Sequence, residues 1–215
     1  MLKKRLFWLT VWGAAFGYIE AAIVIYLRHL YYPDGFAFPV VFVESGIAVV
    51  ELLREAVTLL FMWAVAALAF RSLQNRVAAF MILFGTWDIF YYVFLKIFLN
   101  WPASLMTWDI LFMLPLPWVG PVWAPVLVSM ALIYAGFIIL RMDEKGTPMK
   151  MGRCFWMLEI AAGAVIVLSF LIPGQVVWKE AIPTHFPWYL FWAGYLAGIG
   201  AFKVKMLRKK TWTWS

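Results

Sequence analysis

Six apolar stretches of about 20 residues divide this chain, and they constrain its fold more than any other feature. A helix rises about 1.5 Å per residue, so about 20 residues cross the roughly 30 Å of hydrocarbon in a bilayer. The composition agrees, since 66% of the 215 residues are hydrophobic and only 13% are charged. A soluble domain of this length has no means of burying so much apolar surface. We therefore predict an all-α, polytopic integral membrane protein.

The six predicted transmembrane helices form a single domain over residues 1–215. Their limits lie at about 6–27, 48–70, 77–97, 122–140, 154–172 and 188–202. The fifth is expected to end before Pro173 and Gly174. A cleaved signal peptide is the alternative for the first, since basic residues precede it. The apolar run continues to Leu27, however, and this length favours a membrane span.

The lysines and arginines are distributed unevenly between the connections. Fourteen of the 18 lie before the first span, in the segments 71–76 and 141–153, and after the last span. With six spans, these four segments share one side of the membrane. The positive-inside rule then predicts an inner or plasma membrane protein with both termini in the cytoplasm. This distribution explains the net charge of +7 without a nucleic-acid partner, and none is predicted.

The connection at 98–121 is apolar but contains four prolines, at positions 102, 115, 117 and 121. We predict a short interfacial or re-entrant helix over 108–116 that leads into the fourth span. Irregular backbone at membrane depth occurs only where it is buried in protein or lines a cavity. The alternative is a loop on the membrane surface with its tryptophans at the level of the lipid headgroups.

Three acidic residues lie well inside predicted spans: Glu20 in the first, Glu55 in the second and Asp88 in the third. A charge at the centre of a membrane helix costs at least about 2.5–3.5 kcal/mol on insertion scales, so each acid is a candidate functional residue. Their depths below the outer surface are about 10, 10 and 14 Å at about 1.5 Å per residue. Because these depths are similar, we predict that the three carboxylates line one pocket that opens to the outside.

Basic residues accompany these acids. Arg28 lies two helical turns outward of Glu20, and Lys96 lies two turns outward of Asp88. Arg54 follows Glu51 at the i, i+3 spacing of neighbours on a helix face. These pairs predict acids at the floor of the pocket and bases near its rim. The alternative is a buried network of ion pairs that only holds the three helices together.

Two tyrosines and one further acid complete the predicted site. Tyr91 and Tyr92 follow Asp88 at i+3 and i+4, where a phenol can hydrogen-bond its carboxylate or a ligand. Asp109 lies at the outer boundary, where it either caps the short helix or closes the pocket. The predicted ligand-binding residues are Glu20, Glu51, Glu55, Asp88, Tyr91, Tyr92, Arg28, Arg54, Lys96 and Asp109.

Small residues recur at helical spacing in two spans. Gly13, Gly17 and Ala21 form one stripe, and Gly194 and Gly198 form another. Such stripes allow helices to approach closely. We favour packing within one chain, with contact between copies of the chain as the alternative.

Nothing in the sequence identifies a cofactor or a metal site. The single cysteine, Cys154, excludes an intramolecular disulfide, and the two histidines, His29 and His185, have no diagnostic ligand spacing. Motifs of nucleotide binding and of nucleophilic hydrolases are absent. The expected cofactor is therefore unknown, and no metal is predicted.

Three functions agree with these features. The first is a transporter-like or solute-binding protein that takes a small cation, a polar solute or a lipid from the outer side of the bilayer. The second is a membrane-embedded enzyme that acts on a lipid or isoprenoid by carboxylate acid/base chemistry. The third is a non-catalytic subunit of a larger membrane complex, or a homo-oligomer, in which the charges serve only packing. We favour the first.

Overall fold

The computed structural model describes residues 1–39, 45–114, 116–179 and 181–210. Within these ranges the chain forms six helices and one β-hairpin. The elements are α1 (Leu2–Tyr31), α2 (Ser45–Ala69), α3 (Leu73–Leu99), β1 (Trp108–Phe112), β2 (Trp118–Pro121), α4 (Trp123–Glu144), α5 (Arg153–Trp178) and α6 (Trp188–Lys210). All six helices are long and apolar enough to cross a membrane, which indicates a multi-pass membrane protein.

Each predicted span coincides with one helix, but most helices extend beyond the apolar run. Helix α3 begins at Leu73 rather than at 77, because the Ser72 hydroxyl accepts a 3.3 Å hydrogen bond from the backbone N–H of Asn75. This side chain caps the first turn and allows the helix to start among polar residues. At its other end, Asn100 adopts a left-handed conformation with φ of 51° and ends the helix.

Helix α5 does not end before Pro173, and this expectation is wrong. The helix continues through Pro173 to Trp178. Gly174 then lies so close to the Pro117 carbonyl oxygen of the hairpin that a side chain has no room there. Membrane helices tolerate proline where neighbouring groups compensate the interrupted hydrogen bonding. The helix end therefore packs against the hairpin instead of unwinding.

The helix predicted over 108–116 is also wrong, because this segment contains a strand of an antiparallel hairpin. Strand β1 pairs with β2 in the register Asp109 with Gly120 and Ile110 with Val119. The prolines at 115 and 117 oppose a helix here, and the aromatic and β-branched residues on either side favour strands. Pairing the two strands satisfies backbone groups that single irregular segments leave open.

Helix α3 is the central helix, with α1 and α4 packed closely against it, while α5 and α6 form a second pair that β2 joins. A Cβ atom built on Gly17 of α1 would lie only 2.8 Å from the Trp87 carbonyl oxygen of α3. In the same way, a Cβ on Gly194 of α6 would lie 2.7 Å from the Ala162 carbonyl oxygen of α5. Both glycine stripes therefore serve packing within the chain, as the sequence predicts.

One end of the bundle collects the basic segments, and we call it the basic end. The backbone N–H of Leu2 donates to Glu144 at 3.0 Å, and the Asn75 amide donates to Asp143 at 2.6 Å. These bonds bring the start of α1, the turn at 71–76 and the end of α4 together. Met206 of α6 packs against the same apolar cluster as Leu2. The four basic segments thus lie at one end, as six membrane crossings require.

Candidate functional site

A cavity of about 410 Å³ lies in the half of the bundle away from the basic end. Helices α1, α2 and α3, the hairpin and the last residues of α5 enclose this cavity, which we call the chamber. Nine of the ten predicted site residues line it: Glu20, Glu51, Glu55, Asp88, Tyr91, Tyr92, Arg28, Arg54 and Asp109. Its volume falls in the range of small-molecule binding sites, about 300–1,000 Å³. These nine residues therefore share one space.

The packing of α1 on α3 places Glu20 and Asp88 at neighbouring heights along the bundle. Gly17 lies against the backbone between Trp87 and Tyr91. Because the two helices run in parallel, Asp88 lies about one turn deeper than Glu20. At about 1.5 Å per residue, this offset is about 6 Å. The carboxylates of α1 and α3 thus occupy neighbouring levels of the chamber.

Arg54 joins two of the carboxylates. Its guanidinium group forms an ion pair with Glu20 of α1 and another with Glu51, whose Oε2 lies 2.8 Å from Nη2. The Thr58 hydroxyl donates to the second Glu20 oxygen at 2.6 Å. These contacts connect α1 to α2 by polar side chains, whereas the backbone of α2 approaches that of α3. Arg54 therefore lies among the floor acids and not at the rim.

Arg28 and Asp109 form a second ion pair, between α1 and β1. Arg28 Nη2 lies 3.2 Å from Asp109 Oδ1, and the Tyr92 hydroxyl donates to Oδ2 at the same distance. The Arg28 guanidinium carbon lies 3.7 Å from the ring centroid of Trp101 and 4.4 Å from that of Phe36. Two aromatic rings and one carboxylate thus hold this arginine, which is 7% exposed.

Glu55 and Asp88 are buried without an ion pair to any residue that the structure describes. Both Glu55 oxygens accept hydrogen bonds from the backbone N–H of Met113, at 2.9 and 3.0 Å. Asp88 Oδ2 accepts a 2.7 Å hydrogen bond from the Ser129 hydroxyl of α4. In total, five carboxyl groups and two guanidinium groups line the chamber. With all of these groups ionised, negative charge is in excess.

The alternative of a packing network would pair residues two turns apart, and the described contacts differ from it at two positions. Glu20 pairs with Arg54 and not with Arg28, and Asp88 pairs with Ser129 and not with Lys96. Lys96 lies outside the chamber, where its ammonium group donates to the carbonyl oxygens of Asn100 and Pro102 at 3.2 and 3.1 Å. These carbonyl oxygens follow the last turn of α3, so the Lys96 side chain is directed to the end of the helix and not into the chamber.

Of the two roles considered for Asp109, the helix cap is wrong, because no helix forms over this segment. It lies in β1 and is 2% exposed, so it forms part of the chamber wall. Burial raises the pKa of Asp109 to about 6, while the positive charge of Arg28 acts in the opposite direction. The Tyr92 hydroxyl, which the sequence places near Asp88, contacts Asp109 instead. The hairpin thus brings a fourth element to the site.

Several contributors to the chamber are absent from the predicted site. Thr58 and Ser129 are isolated hydroxyls in apolar helices, and this pattern is a signal that sequence reasoning can use. The stacking of Trp101 and Phe36 on Arg28 leaves no such signal, since tryptophans near span ends are typical of membrane interfaces. The contribution of Met113 comes from its backbone N–H and depends on the hairpin.

Two donors of the lining have no hydrogen-bond partner among the described residues: Arg28 Nη1 and Trp87 Nε1. Most of the remaining lining is apolar or aromatic, including Val24 and Leu27 of α1 and Ile110 of β1. The chamber therefore combines charged groups with hydrocarbon walls. Such a lining suits a ligand that has both polar and apolar parts.

No group of three or more His, Cys, Asp or Glu side chains within the described ranges is arranged to hold a metal ion. His29 and His185 are exposed, and His29 Nδ1 lies 2.8 Å from the Ile25 carbonyl oxygen. Comparisons of this chain with protein families, with curated proteins and with solved structures find no match.

Proposed function

We propose that this chain is a transporter-like membrane protein whose chamber binds a small cation or an amine-bearing solute. The observation that carries the proposal is the charge of the chamber, where five carboxyl groups face two arginines. In a site of low dielectric constant, this excess favours a positively charged ligand. Glu55 and Asp88 are the expected ligand contacts, because the other three acids already have arginine partners.

The aromatic side chains of the lining support a cationic ligand as well. Tyr91, Tyr92 and Trp87 line the chamber on the α3 side, next to Asp88. Aromatic ring faces attract ammonium groups by about 0.5–2 kcal/mol, most strongly when water is excluded. In this proposal the tyrosines orient the ligand, while Arg28 and Arg54 reduce the repulsion between the acids.

The direction of access follows from the position of the chamber. The basic end is assigned to the cytoplasm of an inner or plasma membrane by the positive-inside rule. The chamber lies in the opposite half of the bundle, next to the outer ends of α1 and α3. The ligand would therefore enter from outside the cell.

Binding of hexylamine to the purified, detergent-solubilised protein tests this proposal by titration calorimetry. Hexylamine carries one ammonium group and a short apolar chain, which match the two kinds of lining. We expect Asp88→Asn and Glu55→Gln to weaken binding by about tenfold to a hundredfold, since a hydrogen bond to a charged group contributes about 1.5–3 kcal/mol. Glu144→Gln, at the basic end, is the matched control and should bind hexylamine as the original chain does. Absence of hexylamine binding, or equal binding by all variants, would contradict the proposal.

Uptake separates a transporter from a binding protein. Liposomes that contain the protein should accumulate labelled hexylamine faster than empty liposomes, with a dependence on an imposed pH or ion gradient. The Asp88→Asn variant should reduce this difference. An uptake rate equal to that of empty liposomes would contradict transport and would support a protein that only binds its ligand.

An enzyme of lipid or isoprenoid metabolism is the second candidate. The apolar walls suit such a substrate. Asp88 is a buried carboxyl group, and its one side-chain partner within the described residues is the Ser129 hydroxyl. Such a group can exchange a proton with a bound lipid. Conversion of an added lipid, lost in Asp88→Asn, would favour this function over transport.

A purely structural role makes a different prediction. The ion pair between Glu20 and Arg54 connects α1 to α2, and that between Arg28 and Asp109 connects α1 to the hairpin. If these contacts serve only packing, Glu20→Gln should lower the yield of folded, extractable protein. Under the proposed function, the variant folds and binds hexylamine more weakly.

A further inference from the structure

The arginine at the outer end of the chamber has a polar group that the proposed cation site does not involve. Arg28 Nη1 has no acceptor among the described residues, although the side chain is 7% exposed. Buried donors of hydrogen bonds are nearly always paired in folded proteins. An acceptor is therefore expected at this position when the chamber is filled.

The Arg28 guanidinium group cannot easily turn to find an acceptor elsewhere. Its Nη2 is held by Asp109, and its plane lies near the rings of Trp101 and Phe36. A guanidinium fixed in this way presents its remaining N–H groups in a constant direction, which suits recognition of a carboxylate or another oxygen acid. Since Arg28 lines the chamber, a ligand in the chamber is within reach of it.

At the other end of β1 the corresponding group is a carboxylate without an ion pair among the described residues, instead of a donor. Asp109 pairs with Arg28, and Glu55 accepts from Met113, four residues further along the chain. A strand rises about 3.4 Å per residue, so these two anchor points are roughly 13 Å apart. The stretch between them lines the chamber with Ile110, Leu111 and Phe112. One polar end thus offers an unpaired donor and the other a carboxylate without an ion pair, with an apolar wall between them.

We propose that the ligand of the chamber is an extended zwitterion, with an ammonium group at Glu55 and an oxygen-acid group that accepts from Arg28 Nη1. The two charged groups are separated by a hydrocarbon segment. This inference rests on the proposed binding of a cation and adds the class of molecule that carries it. A long-chain ω-amino acid presents this chemistry.

Matched probes test the inference on the unaltered protein, so that no variant has to fold. The probes are ω-aminododecanoate, dodecylamine and dodecanoate, which share one chain length and differ only in their end groups. All three are titrated below their micelle-forming concentrations, and binding is followed by calorimetry and by tryptophan fluorescence. We expect ω-aminododecanoate to bind about tenfold more tightly than dodecylamine, equivalent to about 1.4 kcal/mol.

Substitution of Arg28 tests whether this residue binds the acid group of the ligand. Arg28→Gln should remove the advantage of ω-aminododecanoate over dodecylamine while dodecylamine still binds. Lys96→Gln is the matched control, because Lys96 lies near the same end of the bundle but outside the chamber. In that variant the tenfold advantage should remain. The shorter probe ω-aminobutyrate should show no advantage over butylamine, since it cannot reach both ends.

The outcomes separate this inference from the function on which it rests. Equal binding of ω-aminododecanoate and dodecylamine overturns the zwitterion and leaves a cation site. Tight binding of dodecanoate alone overturns both, and so does the absence of binding by hexylamine, dodecylamine and ω-aminododecanoate. An advantage of ω-aminododecanoate over dodecylamine that is absent for ω-aminobutyrate over butylamine supports the extended zwitterion. An equal advantage for the short pair overturns the separation of the two charged groups.

Discussion

Asp109 is the most deeply buried of the five carboxyl groups in the chamber, and its surroundings act on it in opposite directions. Arg28 favours the charged form, and the loss of water favours the neutral one. The chamber that Asp109 lines is also lined by Tyr91, Tyr92 and Asp88 of α3. Burial has the larger effect, because the pKa of Asp109 rises to about 6 from its ordinary value of 3.8.

This pKa predicts how the stability of the protein depends on pH. The folded state holds the proton of Asp109 more tightly than the unfolded state does. The contribution of Asp109 to the free energy of unfolding is therefore fully present below about pH 4 and decreases as the pH rises to about 6. A difference of about two pKa units corresponds to about 3 kcal/mol. Relative to Asp109→Asn, the original chain should thus lose stability between about pH 4 and pH 6.

Unfolding in detergent, followed by tryptophan fluorescence at several pH values, measures this difference. Asp143→Asn serves as the control, since Asp143 is exposed at the basic end. The difference in the free energy of unfolding between Asp143→Asn and the original chain should not show this decrease between pH 4 and pH 6. A difference between the original chain and Asp109→Asn that stays constant from pH 4 to pH 6 would show that burial does not perturb this carboxyl group.

At the scale of secondary-structure elements, close contact between α1 and α3 positions the acids that these helices carry. Gly17 allows the two backbones to approach, so Glu20 and Asp88 reach the same chamber. Helix α2, in contrast, meets α1 through side chains, both polar and aromatic. The chamber lies beside this contact.

Gly17→Ala should destabilise the protein by about 1–3 kcal/mol, because the added methyl group overlaps the α3 backbone. The matched control is Gly163→Ala in α5, where a Cβ atom meets nothing within 4 Å. Alanine is the better helix former by about 1 kcal/mol, so this control should be unchanged or slightly more stable. Thermal unfolding in detergent measures both variants. Equal stability of the two would mean that the α1–α3 contact is not tight.

The hairpin is the element that sequence reasoning could not supply. Its prolines indicate broken structure at 98–121, but they do not distinguish a short helix from two paired strands. The pairing of Ile110 with Val119 is a tertiary contact between segments, and no periodicity in the sequence records it. Because the hairpin contributes Asp109 and the Met113 N–H, this part of the site depends on the fold.

At the scale of the whole molecule, charge and packing agree on which ends belong together. The sequence predicts that the four basic segments share one side, and the contacts of Leu2 with Glu144 and of Asn75 with Asp143 bring three of them together. The orientation of that end in the membrane is a prediction from charge alone. It can be tested without any knowledge of the ligand.

Labelling with a membrane-impermeant maleimide tests the orientation in intact cells. Cys154 is exposed near the basic end and should react only after the cells are permeabilised. Lys179→Cys, made on a Cys154→Ser background, places a thiol after α5 at the opposite end and should react in intact cells. The reverse pattern would place the basic end, and with it both termini, outside the cytoplasm.

The sequence by itself determined the number of helices, their approximate limits and the positions of the buried acids along them. These properties are local, because apolar length sets a span and distance along one helix sets a position. Only the tertiary structure decided which charges pair, since pairing depends on how each helix is rotated and on which neighbour it meets. Glu20 therefore contacts Arg54 of another helix, although Arg28 is nearer in the sequence, and Lys96 turns away from the chamber altogether.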